Sequence, residues 1–257
     1  MPYDSFVIPD ETQAHRIEDL LLKATQPAQQ LQYDGWLLRL AQNDVKRARS
    51  VNPIYGSSLP VEEKIAYCER VYEEQGLPPL YRMSALSKPS TLDEALKLRG
   101  YELFERSLVM VAMLDDGLPA IRDGLRFEQP PLERWLQLVA PLRGLTPKAA
   151  SAEYVRLSQT ALDEIPIAVW RGNELAGCGL MMMDGEYAGL FDIATLPSLR
   201  RQRVGLATCV HLLQLAQERG AIQAWLSVVA DNEPALRLYE RLGFAPVYDY
   251  WYRIKHV

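Results

Sequence analysis

Apolar residues recur along the chain first with a helix period and then with a strand period. In "ETQAHRIEDLLLKAT" (11–25), Ile17, Leu20, Leu21 and Ala24 share one face, which predicts an amphipathic helix. "DGWLLRLAQNDVKRARSV" (34–51) alternates, Trp36 and Leu38 against Leu37 and Arg39, and reads as two strands around the turn "QND". "LPVEEKIAYCERVYEEQG" is a helix with Pro60 in its first turn and Gly76 at its end. "PLYRMSAL" is a short strand. "STLDEALKLRG" is a helix capped by Ser90 or Thr91 and stopped by Gly100, and "YELFERSLVMVAML" is a strand.

The texture then changes. "LDDGLPAIRDG" (114–124) mixes Gly, Pro and charge and reads as a linker. After "LRFEQ" and a Pro-Pro turn come helical patterns around 132–140 and 147–160. "IPIAVWRGNELAGCGLMMMDGEYAGLFDIATLP" predicts three strands with turns at Arg171–Asn173 and Asp184–Glu186. Its Met181–Met183 run reads as buried strand ahead of a soft binding surface. A helix over about 203–219, the strand "AIQAWLSVV", the helix "NEPALRLYERLG" and the aromatic strand "FAPVYDYWYRI" close the chain. Alternation would bury about half of "YDYWYR", with an acceptor or dimer surface as a second reading. The order predicts a mixed α/β protein. "DEALKLRGYELFERSLVMV" echoes "PALRLYERLGFAPVYDYWYRI", aligning Gly100-Tyr101 with Gly243-Phe244, so two copies of one architecture are expected.

With 257 residues, 48% of them hydrophobic, the chain can bury two cores. Its net charge of -5 argues against a nucleic-acid partner held by phosphate neutralisation. No apolar run suits a membrane span, and the first residues show no leader pattern. Cys68, Cys178 and Cys209 are few and scattered, which fits a reducing cytoplasm and makes no metal site. His211 reads as an ordinary helix residue.

The candidate chemistry lies in "RRQRVGLATCVHLLQLAQERG" (200–220). A strand end, a turn and a helix start follow one another there. Helix-start amides lack internal partners and attract anions, and small residues at Gly205 and Ala207 leave room for a phosphate. Arg200, Arg201 and Arg203 add positive charge. Neither a P-loop nor a dinucleotide fingerprint is present. Gln202-x-x-Gly205-x-Ala207 resembles the acetyl-CoA pyrophosphate loop of the GNAT acetyltransferases. "ADNEPALRLYERLGF" resembles that family's second signature through Asn232, Ala235, Tyr239, Gly243 and Phe244. The clear likeness covers about 185–255 and is greatest to the branch containing the ribosomal-protein alanine N-acetyltransferases.

The resemblance implies two GNAT-like domains, each a mostly antiparallel sheet flanked by helices, with a splayed parallel strand pair in the second. Residues 1–113 would form a degenerate domain, 114–125 a linker and 126–257 the catalytic domain. It implies an acetyl-CoA-dependent N-acetyltransferase without a metal, acting by direct attack of an amine on the thioester. The amides of Arg203, Val204, Gly205, Leu206, Ala207 and Thr208, with Gln202 in the motif, would hold the pyrophosphate. Ile193, Ala194 and Thr195 would bond the pantetheine. Asn232 would touch it or cap the next helix, and Tyr239 would protonate the thiolate. The branch tends to carry a glutamate where this chain has Ser227, so Asp192, Glu186 or no group at all would act as base. The acceptor would be a small-molecule or peptide amine, and a homodimer is an open option. A non-catalytic acyl-CoA sensor and an interaction protein with a vestigial loop are the rival readings. In the first half, "NPIYGSSLPVEEK" stands where the loop would be, Leu96 matches Tyr239 and Pro89 matches Asn232. Its basic run, Lys46, Arg47 and Arg49, is either a solvated hairpin or a contact for an anionic acceptor group.

Overall fold

The computed structural model describes residues 10–43, 45–114, 117–121 and 124–255; the first nine residues, Asp44 and parts of the linker lie outside them. In chain order the elements are α1 (Glu11–Ala24), β1 (Gln29–Tyr33), β2 (Trp36–Leu40), β3 (Val51–Asn52), α2 (Val61–Glu74), β4 (Leu80–Ser84), α3 (Leu92–Leu98) and β5 (Glu102–Met113). There follow β6 (Arg126–Glu128), α4 (Leu132–Arg143), α5 (Pro147–Ser158), β7 (Asp163–Arg171), β8 (Glu174–Asp184) and β9 (Tyr187–Thr195). Then come α6 (Val204–Glu218), β10 (Gln223–Val229), α7 (Glu233–Glu240) and β11 (Ala245–Ile254).

The chain divides into two compact units. One takes Met1–Val109, Ser227–Glu233 and Pro246–Val257; the other takes Met110–Leu226 and Pro234–Ala245. Most of β11 lies with the first unit, and the end of β5 from Met110 lies with the second.

In the first unit the strand order is β1-β2-β3-β4-β11-β5. Asp10 caps α1 through Thr12 N–H (2.9 Å) and Gln13 N–H (3.1 Å), and the expected face of Ile17, Leu20, Leu21 and Ala24 is buried. The strand β1 was not foreseen. "QQLQY" is polar and mostly exposed, and backbone pairing to β2 holds it rather than burial. The expected alternation in β2 also fails, because all five of its residues are buried. The same correction applies to the aromatic tail. Strand β11 lies between β4 and β5, and every residue from Tyr248 to Arg253 except Trp251 is buried. Charged partners meet both of its faces. Tyr248 donates to Glu18 at 2.6 Å on one, and Asp249 and Arg253 pair with Arg106 (2.6 Å) and Asp93 (2.7 Å) on the other.

The second unit has the strand order β10-β9-β8-β7-β6. All contacts within β6-β7-β8-β9 are antiparallel, and only β9–β10 is parallel. Helices α4 and α6 pack on this sheet. Met181, Met182 and Met183 are buried strand residues. His211 stacks on Phe127 at 4.2 Å, and burial holds its pKa below the ordinary value.

The sequence echo has a physical counterpart. Gly100 and Gly243 both take left-handed φ (83° and 80°) and end their helices identically. Tyr101 N–H reaches back to Leu96 carbonyl at 3.0 Å, and Phe244 N–H to Tyr239 carbonyl at 3.1 Å.

The buried Glu18 accepts from both Arg82 nitrogens and from Tyr248. Burial raises the Glu18 pKa, but Arg82 and Tyr248 outweigh it and hold the carboxyl ionised. Glu18→Gln leaves the Arg82 charge buried without its counter-ion and is expected to cost about 3–5 kcal/mol, read from urea unfolding at neutral pH. Because the folded pKa is depressed, the wild-type advantage is full above the unfolded pKa and fades in acid.

Candidate active site

The site begins with two strands that part. The parallel ladder joins Tyr187, Ala188 and Gly189 to Gln223, Ala224 and Trp225 and covers only these three pairs. A wedge fills the place where it ends. The Trp225 ring lies so close to Gly189 that a Cβ there would stand 2.5 Å from Cζ2, and it meets the Phe191 ring edge-on at 5.2 Å. From Leu190 onward β9 keeps its antiparallel bonds to β8 on one side. Its other side has left the β10 ladder, and an extended ligand bearing amides can bond such an edge as a strand would.

A bulge aims that edge. Cys178 faces Ala194 and Leu180 faces Phe191, so Asp192 and Ile193 stand against the single Gly179. Asp192 takes a left-handed φ of 53°, an uncommon state for a residue with a side chain. Two glycines of β8 make room for this arrangement. A Cβ on Gly177 would lie 2.8 Å from the Ala194 carbonyl oxygen, and one on Gly179 would lie 2.8 Å from Ile193 Cδ1. The alternate glycines in "AGCGL" were the sequence signal for this close approach, and sequence reasoning passed over them.

Past Thr195 a short 3-10 turn (Pro197–Leu199) leads into α6. Arg201 and Arg203 both adopt left-handed φ (63° and 66°), and no side chain caps the helix start at Arg203. The first-turn amides therefore depend on something outside the helix. Ala207 N–H is already bound to Arg203 carbonyl at 3.0 Å, and Thr208 lies further inside the helix with its hydroxyl on Val204 carbonyl at 2.9 Å. The donors left to a ligand thus precede Ala207. Gln202 braces the turn, taking a bond from Arg171 Nη1 and giving one to Ser198 carbonyl at 3.1 Å. A cavity of about 210 Å³ lies against this turn, lined by Arg171, Gln202, Arg203 and Leu206 and by Pro119 and Ile121 of the linker.

Gly205 has a reason inside the protein as well. A Cβ there would meet Thr195 Oγ1 at 3.3 Å and Leu238 Cδ1 at 3.4 Å, so the glycine lets the helix start settle against the end of β9 and against α7. Tyr239 on α7 is buried beside Phe244 (5.9 Å, edge-on). Burial raises its pKa, and Cys209 raises it further, so its phenol stays protonated at neutral pH. Asn232 precedes α7 in the first unit, is exposed, and donates its N–H to Val229 carbonyl at 3.0 Å.

The two carboxylates considered as bases fare differently. Asp192 accepts from Arg143 Nη2 at 2.6 Å, and Arg143 reaches Glu153 at 3.3 Å, which is held in turn by Arg156 at 2.9 Å. The Asp192 carboxylate is thus engaged in an ion-pair chain that runs through Arg143 and Glu153 to Arg156. Glu186 is exposed at the start of β9, a strand length of roughly 25–30 Å from Thr195. The three cysteines are buried, and burial pushes each thiol up to about 12, so none is poised as a nucleophile.

In the first unit, the loop ahead of α2 is filled from within. Asp34 accepts from Ser58 N–H (3.0 Å) and Leu59 N–H (3.0 Å) and pairs with the buried Lys64 at 3.2 Å. These amides, more than any other cause, hold the Asp34 carboxyl far below its ordinary pKa. Trp36 also covers Lys64, whose Nζ lies 4.1 Å from the ring centre.

Residues 132–244 match the model of the acetyltransferase (GNAT) family. The chain is 28% identical over 224 residues to an uncharacterized N-acetyltransferase, YobR, of Bacillus subtilis (strain 168), covering 86% of this chain and 90% of that protein. It is 36% identical over 74 residues to the [ribosomal protein bS18]-alanine N-acetyltransferase of Escherichia coli (strain K12); the match spans 29% of this chain and 50% of the relative. Its fold is like that of a GCN5-related N-acetyltransferase from Kribbella flavida, with a TM-score of 0.72, 15% identity, and coverage of 98% of this chain and 97% of the other.

Gly189→Ala tests the wedge. Its methyl would press on Trp225 and Phe191, and a loss of about 1–3 kcal/mol is expected in urea unfolding. An unchanged midpoint would mean that the ring moves aside at no cost.

Proposed function

We propose that this chain, a member of the GNAT acetyltransferase family and so an acyltransferase, moves an acetyl group from acetyl-CoA to an amine. The observation that carries this reading is the uncapped start of α6 at the end of a strand whose edge has been opened. The pyrophosphate would lie on the amides of Arg203, Val204, Gly205 and Leu206, with Arg200, Arg201 and Arg203 close by in sequence. Ala207 and Thr208 would serve as small or inward-facing residues rather than as amide donors. The pantetheine would bond the Ile193–Thr195 edge as an added strand. Its thioester carbonyl would take a backbone N–H there, which stabilises the oxyanion as the amine attacks. Tyr239, kept protonated by burial, would protonate the departing thiolate. Asn232 would cap α7 or touch the pantetheine. Attack would be direct, since the buried thiols do not suit an acetyl-cysteine intermediate.

The first unit would be a silent copy of the same architecture. Its own Asp34 occupies the loop amides ahead of α2, and Leu96 stands in the place of Tyr239. The ion-paired Asp192 favours one rival, a non-catalytic acyl-CoA sensor, which would bind the thioester without turnover.

Acetyl-CoA at about 100 times its Kd is expected to stabilise the protein by about 2.7 kcal/mol, read as a rise in Tm. Gly205→Glu places bulk and negative charge at the helix start and should abolish that rise; a mutant that keeps both its fold and the rise overturns the assignment. Tyr239→Phe should lower kcat by about tenfold or more with little change in acetyl-CoA affinity. Binding with no transfer to any amine would favour the sensor.

A further inference from the structure

Asp192 holds a left-handed φ of 53° inside β9, where a residue with a side chain is normally extended. Such a conformation costs energy and persists only where its surroundings enforce it. Two side chains of the second unit grip the residue at different points. The Cys178 thiol on β8 donates to the Asp192 carbonyl at 3.4 Å. Arg143, the last residue of α4, donates from Nη2 to the Asp192 carboxylate at 2.6 Å.

The carbonyl contact fixes a direction. In a trans peptide the C=O and the following N–H point opposite ways. The Asp192 carbonyl turns toward β8, so the Ile193 N–H turns away from β8, to the side where the β10 ladder has ended. The Ala194 N–H in turn meets the Cys178 sulfur, so the Ile193 carbonyl faces that same side. Ile193 thus offers both a donor and an acceptor to the edge of β9. Its side chain lies on the other face of the sheet from Arg143, sharing the space over Gly179 with Thr208 and Leu212 of α6.

Arg143 is itself fixed from several directions. Helix α4 stops directly behind it, where Gly144 takes a φ of 68° and Leu145 N–H bonds Ala140 carbonyl at 2.9 Å. Earlier on α4, the Trp135 indole N–H donates to Ile167 carbonyl on β7 at 3.0 Å and ties the helix to the sheet. The Arg143 guanidinium lies 5.8 Å from the centre of that indole ring. Glu153 of α5 accepts from the same Nη2 at 3.3 Å. Burial raises the Glu153 pKa, but Arg156 and Arg143 outweigh it and keep the carboxylate charged. A guanidinium held this way immobilises the carboxylate it touches, and with it the torsions of Asp192.

We propose that Arg143, acting through Asp192, is the positioning residue that aims the Ile193 N–H at the thioester carbonyl of acetyl-CoA. This rests on the acetyltransferase reading. A donor stabilises charge developing on that carbonyl oxygen only if it is already in place, so a drift of the bulge lowers the rate more than the binding. The pyrophosphate, held at the start of α6, does not register the drift. The ion pair therefore aims a donor rather than accepting a proton.

The test uses the full-length protein and acetyl-CoA isotope-labelled at the thioester carbonyl, whose band is read by infrared difference spectroscopy in the bound state. In the wild type the band is expected below its position in water, as for a carbonyl that accepts from an aimed N–H. Arg143→Gln and Asp192→Ala should return it toward the water position. In transfer to a panel of amines both should lower kcat about tenfold or more, with acetyl-CoA affinity within about threefold of the wild type. Glycine takes a left-handed φ freely, so Asp192→Gly should be about tenfold faster than Asp192→Ala although it too lacks the carboxylate. In that glycine background Arg143→Gln should do no further harm. The alanine–glycine comparison leaves the Arg143–Glu153 bridge in place and stands even where Arg143→Gln fails to fold. The spectroscopic measurement needs no acceptor. A bound wild type with its band at the water position overturns the proposal, and so does a wild-type band in Asp192→Ala. Equal loss of rate in Asp192→Ala and Asp192→Gly also overturns it, since the carboxylate itself would then be at work. No stabilisation by acetyl-CoA would overturn the acetyltransferase reading instead, and this role with it.

Discussion

Backbone amides and carbonyls must find partners, and the second unit is organised around a place where a strand denies them one. The strands β9 and β10 begin as a parallel pair and separate after three residues. At the last pair of that ladder the Trp225 ring lies over Gly189 and against Phe191. The bulge at Asp192 and Ile193 turns the edge of β9 beyond that ladder, with Gly177 and Gly179 giving the space behind it. Helix α6 then starts beside that edge with no side-chain cap. A strand edge beyond its ladder and a helix start therefore lie in succession along a few residues.

In the first unit the loop amides find their partners internally. The ends of α3 and α7 are closed by equivalent left-handed glycines and equivalent backward hydrogen bonds. The loop ahead of α2, however, receives the Asp34 carboxylate, and Lys64 neutralises it from beneath. An internal carboxylate tethered in place competes strongly with any external anion, because its ordering cost was met on folding. The charged residues of this unit instead work on its interior. Glu18, Arg82, Tyr248 and Tyr250 form one buried polar group around β11.

The sequence determined the order of elements, the helix stops at Gly100 and Gly243, the burial of the methionine run, and the loop and helix signatures around Gly205 and Tyr239. These are local matters: hydrophobic period, turn residues and the few side chains small enough for a helix start. Tertiary structure decided the rest. The strand β1 has no apolar pattern to announce it, because pairing alone holds it. The strands β2 and β11 lose their alternation because both of their faces are covered, which depends on what the remainder of the chain lays over them. Asp192 pairs with Arg143, 49 residues away in sequence, a contact that spacing does not announce. Arg47 and Tyr250, 203 residues apart, meet only after folding. A charge's role depends on what shares its low-dielectric surroundings, and sequence spacing carries no record of neighbours that folding brings from so far away.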